Sequence, residues 1–251
     1  MGRVVSKTFG AIGRNGSTLL VLALVLGAAP QVVTSFLQAR ANPVVSGSPS
    51  TSSAFIGLFF ISALISSVLS IVLQAAVIHG VVEDLNGRPP KLADCFSAGL
   101  KVILPVLAIG IVSGTAIALG FILLIVPGII LAMRWLVAVP VRVAEGPGVF
   151  AALARSVQLT KGNRWPLFGL VFAFFVVVWV ILAVVLGVAV ALSFSAINPQ
   201  AAATSAPYIL LSAVALAAMQ TLGAAGIGAI YQELKTVQEG GDPSSLAEVF
   251  A

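Results

Sequence analysis

Charge is what this sequence lacks most. Only 8% of its 251 residues are charged, whereas 59% are hydrophobic, and a soluble domain of ordinary composition carries about 25% charged residues. A water-soluble fold needs a polar, hydrated surface whatever the size of its core, so the composition excludes an ordinary globular protein. The mean hydropathy of +1.13 indicates instead that lipid surrounds most side chains.

Cysteine and histidine are almost absent as well. The single cysteine, Cys95, excludes an intramolecular disulfide and a thiolate-rich metal site, and the single histidine, His79, excludes a multi-histidine site. With one histidine and no carboxylate inside a predicted span, we expect no enzyme, no metal and no cofactor. The net charge of +5 does not gather in basic runs interleaved with aromatics, so nucleic-acid binding has no support.

Long apolar runs are what the sequence has. A helix of about 20 apolar residues crosses a bilayer, and the chain holds enough such runs for six crossings. The sequence therefore predicts an all-α, polytopic membrane bundle in one domain, residues 1–251. The predicted spans are 17–37, 54–82, 102–125, 128–142, 165–194 and 208–231.

The third and fourth predicted spans come from one apolar stretch, 102–141, which is too long for a single crossing. Two positions compete for the turn between them. One is Gly120, and the other is the pair Pro127 and Gly128. Proline followed by glycine is the stronger turn signal, so the second position is preferred.

The distribution of Lys and Arg predicts the orientation. With both termini in the cytoplasm, all of the thirteen Lys and Arg residues except Arg40 and Arg134 fall on the cytoplasmic side. Cytoplasmic loops of membrane proteins carry such an excess of positive charge. We therefore expect the N-terminus and the C-terminus to be inside.

Two short segments, 92–100 and 149–161, are neither spans nor plain loops. Each follows a proline, Pro90 or Pro147, and each joins a span that arrives at the cytoplasmic side to one that leaves it. Apolar residues of the second segment share one helical face, a pattern typical of a helix at the headgroup boundary. The two segments repeat at an interval of 57 residues, and a duplicated hairpin is one interpretation of this spacing, although the identity between the segments is poor.

Arg134 is the main candidate for a binding residue. It lies within a predicted span, and no acidic residue lies in any predicted span to act as its counter-ion. Its guanidinium either reaches the interface or carbonyl oxygens at a broken helix end, or it holds an anionic group such as a lipid phosphate. The lipid- or anion-binding candidates are Arg134, Trp135, Arg155, Lys161 and Arg164.

Other polar side chains recur inside the predicted spans. Four of them follow a four-residue spacing in the second span and so share one face, and a fifth lies near the middle of the sixth. Close helix packing with hydrogen bonds is the preferred explanation, and a polar translocation path is the alternative. The same packing role is expected for the glycine pair Gly110 and Gly114. The polar intramembrane residues are Ser62, Ser66, Ser70, Gln74 and Gln220.

An ordered pattern of residues lies between Ile125 and Leu170. It resembles the membrane domain that some bacteria attach to glycerophosphodiester phosphodiesterase, and related stand-alone bacterial membrane proteins. The resemblance implies a multi-span helical domain in a bacterial cytoplasmic membrane. It does not imply phosphodiesterase activity, because the catalytic part of such fusions is a separate soluble barrel. The pattern consists of Pro127, Gly128, Arg134, Trp135, Pro140, Glu145, Ala152, Leu153, Arg155, Ser156, Leu159, Thr160, Gly162 and Trp165.

Two charged residues of this pattern lie at the second short segment. Glu145 precedes it, where a carboxylate favours a helix N-terminus, and Arg155 lies within it. We expect the two side chains to tie this segment to the ends of the fourth and fifth spans. A solvated or headgroup-facing charge cluster is the alternative.

Two functions stay open from the sequence. The first is a non-enzymatic membrane protein that binds or moves lipid or another amphiphile, with membrane lipids as its partners. The second is a structural or assembly protein that forms a homo-oligomer or supports a membrane-protein partner. Lipid handling predicts a cavity at Arg134, whereas assembly predicts tight packing and a subunit interface.

Overall fold

A computed structural model describes residues 2–41, 53–162, 164–192 and 205–239, and all secondary structure within these ranges is helical. Six stretches of it are long and apolar enough to cross a membrane, which confirms the predicted all-α, polytopic fold. The last two residues of the predicted fifth span, 193 and 194, lie outside the described ranges. The helices are α1 (Gly2–Arg14), α2 (Gly16–Leu22), a π-helical turn (Ala23–Ala28), α3 (Ala29–Ala41), α4 (Ser53–Leu85), α5 (Leu92–Lys101), α6 (Ile103–Leu123), α7 (Ile125–Arg134), α8 (Ala138–Glu145), α9 (Val149–Leu159), α10 (Arg164–Leu192) and α11 (Ala206–Glu239).

Ion pairs gather at one end of the bundle, which we call the charged end. Here α1 meets α11 through Lys7 Nζ and Glu233 Oε2, 2.5 Å apart, and meets α4 through Arg14 Nη2 and Asp84 Oδ2, 2.6 Å apart. The helix α1 and the C-terminal end of α11 therefore lie on the same side of the bundle. Which side of the membrane this is stays a prediction.

The chain repeats one pattern three times. A short helix at the charged end (α1, α5 or α9) precedes a helix that leaves this end, and a third element (α4, the α7–α8 pair or α11) returns to it. In each short helix, three of the buried residues occupy positions i, i+4 and i+7, which share one helical face. These residues are Val4, Thr8 and Ala11 in α1, Cys95, Gly99 and Val102 in and just after α5, and Ala152, Ser156 and Leu159 in α9.

The short helices pack against the longer helices of the bundle. On α5, a Cβ added at Gly99 would lie 2.7 Å from the carbonyl oxygen of Val72 in α4, so only glycine fits this approach. The helices α5 and α9 begin at Leu92 and Val149, 57 residues apart, as the proposed duplication requires. The structure adds α1 as a third copy of the short helix.

The turn between the third and fourth spans lies at Leu124, and neither predicted position is correct. Leu124 has an extended backbone (φ −164°, ψ 146°), and α7 begins directly after it. Pro127 is the third residue of α7, where a helix has no intrahelical partner for a backbone N–H. The proline therefore starts a helix here and does not form the turn.

Both glycines of the competing turn positions are contact points of the hairpin that α6 and α7 form. A Cβ added at Gly120 would lie 3.0 Å from the Cα of Gly128, and one added at Gly128 would lie 2.6 Å from the ring of Phe121. The two glycines therefore let α6 and α7 approach backbone to backbone. In contrast, nothing lies within 4 Å of a Cβ at Gly110 or Gly114, so their expected packing role is not found among the described residues.

Replacing Gly128 with alanine is expected to destabilise the hairpin. The added methyl group meets the Phe121 ring, and overpacking of this kind costs about 1–3 kcal/mol. Gly110→Ala is the matched control, because its methyl group meets open space and alanine is the better helix former. Thermal unfolding in detergent should show a lower midpoint for Gly128→Ala only. Equal midpoints for the two variants would contradict the close approach.

Cys95 is expected to be unreactive in the folded protein. Its side chain is fully buried, and burial raises the pKa of the thiol to about 11, with a smaller contribution from the charge of Asp94. The thiolate is the reactive form, and a raised pKa removes it at neutral pH. Maleimide labelling at pH 7 should therefore require unfolding in sodium dodecyl sulfate, and rapid labelling of the folded protein would refute this.

Candidate functional site

The fourth span is broken between Arg134 and Ala138, next to a proline. Pro140 is the third residue of α8 and has no N–H, so the helical hydrogen bond to the carbonyl of Leu136, four residues earlier, does not form. The N–H of Ala138 bonds to the carbonyl of Trp135 at 3.1 Å, one residue short of the helical partner. The carbonyl of Arg134 is consequently left without its intrahelical donor.

Two hydroxyl groups of α9 bind this free carbonyl. Ser156 Oγ donates to Arg134 O at 2.9 Å, and Thr160 Oγ1 lies 3.4 Å from the same oxygen. Both hydroxyl residues are fully buried. Part of the sequence pattern thus has a structural explanation, since the fourth span breaks after Arg134 and the hydroxyl groups of Ser156 and Thr160 supply the missing donors. One alternative left open by the sequence was that the Arg134 side chain binds carbonyl oxygens at a broken helix end. Among the described residues, the backbone carbonyl of Arg134 is bound instead.

The side chain of Arg134 is half-buried and pairs with no carboxylate among the described residues. Its Nε is buried without a hydrogen-bond partner, as are the Nε atoms of Arg142 and Arg164. The guanidinium of Arg142 has other hydrogen-bond partners, because its Nη1 donates to the carbonyls of Gly146 and Pro147 where α8 ends. Arg134 and Arg164 make no comparable contacts in the described part of the chain.

The other expected anion-binding residues are spread around the end of α9. Lys161 is exposed and follows α9 directly, and Gly162 adopts a left-handed conformation (φ 87°) that turns the chain toward α10. Trp165, a residue of the family pattern and not an anion-binding candidate, is 83% exposed at the start of α10 and contacts Phe168 edge to face. Trp135 differs from them, since it packs against the hydrophobic core.

Glu145, at the end of α8, is the centre of a polar network. Its Oε1 accepts a hydrogen bond from Tyr231 Oη at 2.7 Å and lies 3.6 Å from Lys235 Nζ, and its Oε2 lies 3.4 Å from Arg155 Nε. Arg155 also pairs with Glu239. The expected pair of Glu145 and Arg155 is therefore present, but it ties α9 to the fourth and sixth spans and not to the fifth.

A polar cleft of about 260 Å³ opens beside this network at the charged end. We call it the central cleft, because α4, α8 and α11, the elements that return in the three units, all line it. No local sequence pattern indicates this cleft, since its residues come from three distant segments. They are His79, Val82, Glu83, Asn86, Val143, Ala144, Tyr231, Gln232, Lys235, Thr236 and Glu239.

Of the four polar residues predicted to share a face of the second span, only Ser62 forms a hydrogen bond to another helix among the described residues. Ser62 accepts a hydrogen bond from Gln38 Nε2 of the first span at 2.6 Å, at the edge of an apolar groove of about 390 Å³ between α3 and α4. Ser66, Ser70 and Gln74 are half-buried and make no hydrogen bond to another helix among the described residues. This face is therefore not a continuous polar path.

Gln220, in the sixth span, differs from its expected role. Its side chain is exposed on the outside of α11, and within the described ranges it forms no hydrogen bond. The expected cross-helix hydrogen bond is thus absent. Facing outward, its amide is available only to a group outside the described part of the chain.

The chain is similar to a known protein family. A family model described as the membrane domain of glycerophosphoryl diester phosphodiesterase matches residues 100–236. The matched region is more than half of the chain and includes the broken span, α9 and all of the Glu145 network except Glu239. No curated protein and no solved structure matches the chain.

Ser156→Ala is expected to destabilise the protein by about 1–3 kcal/mol, because it removes the nearer donor from a buried carbonyl. Ser97→Ala is the matched control. Ser97 lies on the equivalent helix α5, and its hydroxyl donates only to a carbonyl of that helix, Asp94 O, at 3.0 Å. Thermal unfolding in detergent compares the two variants. A loss for Ser97→Ala as large as that for Ser156→Ala would contradict the role of the α9 hydroxyls.

Proposed function

The chain belongs to the family formed by the membrane domain of glycerophosphoryl diester phosphodiesterase, and on that premise we propose that it is a non-enzymatic protein that binds or moves anionic amphiphiles. Phospholipids are the amphiphiles we propose first. The matched family model describes the membrane domain and not the catalytic part, so we assign no reaction to this chain. We place it in a bacterial cytoplasmic membrane with the charged end in the cytoplasm, where positive charge accumulates.

The broken fourth span supports this proposal most directly. The Arg134 guanidinium has a buried Nε without a partner, and a charged group held away from water needs an opposite charge or hydrogen-bond acceptors. A phosphate would supply both, through two parallel hydrogen bonds. Thr160 contacts the carbonyl of Arg134, and Lys161 and Arg164 follow Thr160 closely in the chain.

The distribution of ion pairs among the charged side chains also supports an anionic ligand. Among the described residues, most carboxylates are already in ion pairs, whereas several cations have no carboxylate partner. Unpaired Lys and Arg near a membrane surface attract anionic lipid, by about 1 kcal/mol each. The paired carboxylates are those of Glu83, Asp84, Glu145, Glu233 and Glu239. The cations without a carboxylate partner are Lys91, Lys101, Arg134, Arg142, Lys161 and Arg164.

A second function, assembly with a partner subunit, has one specific observation in its favour. Gln220 exposes an amide on the outside of the sixth span, where lipid offers no hydrogen bond. An amide in this position gains a partner when another helix packs against it. The outward-facing Gly110 and Gly114 would allow a similar close approach on α6.

Arg134→Gln is expected to weaken the binding of anionic phospholipid by about tenfold or more, since hydrogen bonds to charged groups contribute about 1.5–3 kcal/mol. Native mass spectrometry in detergent, with phosphatidylglycerol added at increasing concentration, measures the retained lipid. Arg88→Gln is the control, because the Arg88 side chain is 76% exposed and only loosely paired with Glu83.

The same spectra separate the two functions. Unchanged lipid retention by Arg134→Gln would refute the lipid site. A dimer or larger oligomer that dissociates in Gln220→Leu would favour assembly.

A further inference from the structure

Gln220 lies near the middle of the predicted sixth span, twelve residues after Tyr208 and eleven before Tyr231. About 18 Å of helix therefore extends on one side of it and about 16 Å on the other. Its amide is exposed on the surface of α11 and forms no hydrogen bond within the described ranges. So far from the headgroups, hydrocarbon offers the amide neither a donor nor an acceptor.

The fifth span, α10, borders the surface that carries Gln220. A Cβ added at Gly223 of α11 would lie 4.0 Å from the ring of Phe174 in α10. Gly223 is three residues after Gln220, and side chains at this spacing are neighbours on a helix surface. A helix about 10 Å wide that packs on Gln220 would therefore contact α10 as well.

The rest of the bundle covers α10 less than any other span. Among the described residues, none in its most apolar part is buried, whereas 17–33% are buried in the corresponding parts of the other five spans. Its exposed side chains include large aromatic rings, those of Phe172, Phe175 and Trp179, which are 60, 57 and 65% exposed. Aromatic side chains of this kind are enriched in the contacts between protein subunits. The exposed part of α10 therefore offers apolar area beside Gln220.

A second copy of this chain supplies what Gln220 needs. In a two-fold symmetric dimer, both subunits present the same surface, and a residue at the symmetry axis meets itself. A glutamine amide carries both N–H donors and a carbonyl acceptor, so two facing Gln220 amides each donate one hydrogen bond and accept one. The approach meets no charge repulsion, because neither α11 between Tyr208 and Tyr231 nor α10 after Arg164 contains a charged residue.

We propose that the protein forms a two-fold symmetric homodimer in which Gln220 hydrogen-bonds to Gln220 of the partner subunit, with α10 beside this contact. A single polar residue in an apolar helix contact specifies the register and the oligomeric state, so one dimer forms and not a series of larger assemblies. The inference rests on the assembly function proposed above, for which it names the partner. It does not depend on the lipid site at Arg134.

Energy transfer between fluorescent proteins fused to the C-terminus of the full chain tests the dimer. Donor and acceptor copies are mixed in vesicles of phosphatidylethanolamine and phosphatidylglycerol and diluted with lipid, which gives a dissociation constant. Gln220→Leu should weaken the dimer by about tenfold, because it removes both interhelical hydrogen bonds. Gln220→Asn keeps an amide and should lose less.

Gln74→Leu is the matched control. Gln74 is a half-buried glutamine of α4 that also makes no hydrogen bond to another helix among the described residues, so its replacement should leave the dissociation constant unchanged. Retained phosphatidylglycerol, measured by native mass spectrometry, should be the same in Gln220→Leu as in the unchanged protein. A dimer that fails to form therefore leaves the lipid site intact.

Three results would overturn the homodimer. The first is energy transfer that never exceeds the level of randomly distributed monomers, which would also remove the support for assembly with a second copy. The second is an equal dissociation constant for Gln220→Leu and the unchanged protein, which would keep assembly but place the contact on another face. The third is a monomeric purified protein that retains a different membrane protein in a Gln220-dependent manner, which would keep the surface and change the partner.

Discussion

A backbone carbonyl in a membrane helix must find a donor, because hydrocarbon offers none. In the fourth span the N–H of Ala138 bonds to the carbonyl of Trp135, and the carbonyl of Arg134 loses its intrahelical donor as a result. Ser156 and Thr160 replace that donor at 2.9 and 3.4 Å. The position of α9 depends on this contact, and so do the positions of the charged residues that α9 and the chain after it carry.

The other polar contacts at the charged end are connected to this one. With α9 held against the broken span, Arg155 reaches Glu145 and Glu239, which joins α9 to α8 and α11. Glu145 then accepts the hydroxyl of Tyr231 and fixes one wall of the central cleft. The same geometry leaves the guanidinium of Arg134 with a buried, unpaired nitrogen. One break in a helix therefore bears on both the surroundings of Arg134 and the shape of the central cleft.

Hydropathy alone predicted the helical class and the number of membrane-crossing stretches, because apolar length is a local property of the chain. The short helices at 92 and 149 were also predictable, from a proline and an apolar face. The prediction of a turn at Pro127 was wrong, because proline is common in the first turn of a helix as well as in loops. The roles of Ser156, Thr160 and Gln220 were not predictable, because each depends on which distant backbone group lies within 3–4 Å. The central cleft combines three separate segments, so no local pattern could reveal it.

The hairpin of α6 and α7 has a consequence for how the protein enters its membrane. Its connection is the single residue Leu124, and the side chains around it are apolar and exposed, from Phe121 to Val126. Ser113 and Thr115, earlier in α6, bond to carbonyls of their own helix. No hydrated loop has to pass through the hydrocarbon between these two helices. They can therefore partition into the bilayer together, as a preformed pair, without the energetic barrier that a polar connection would raise.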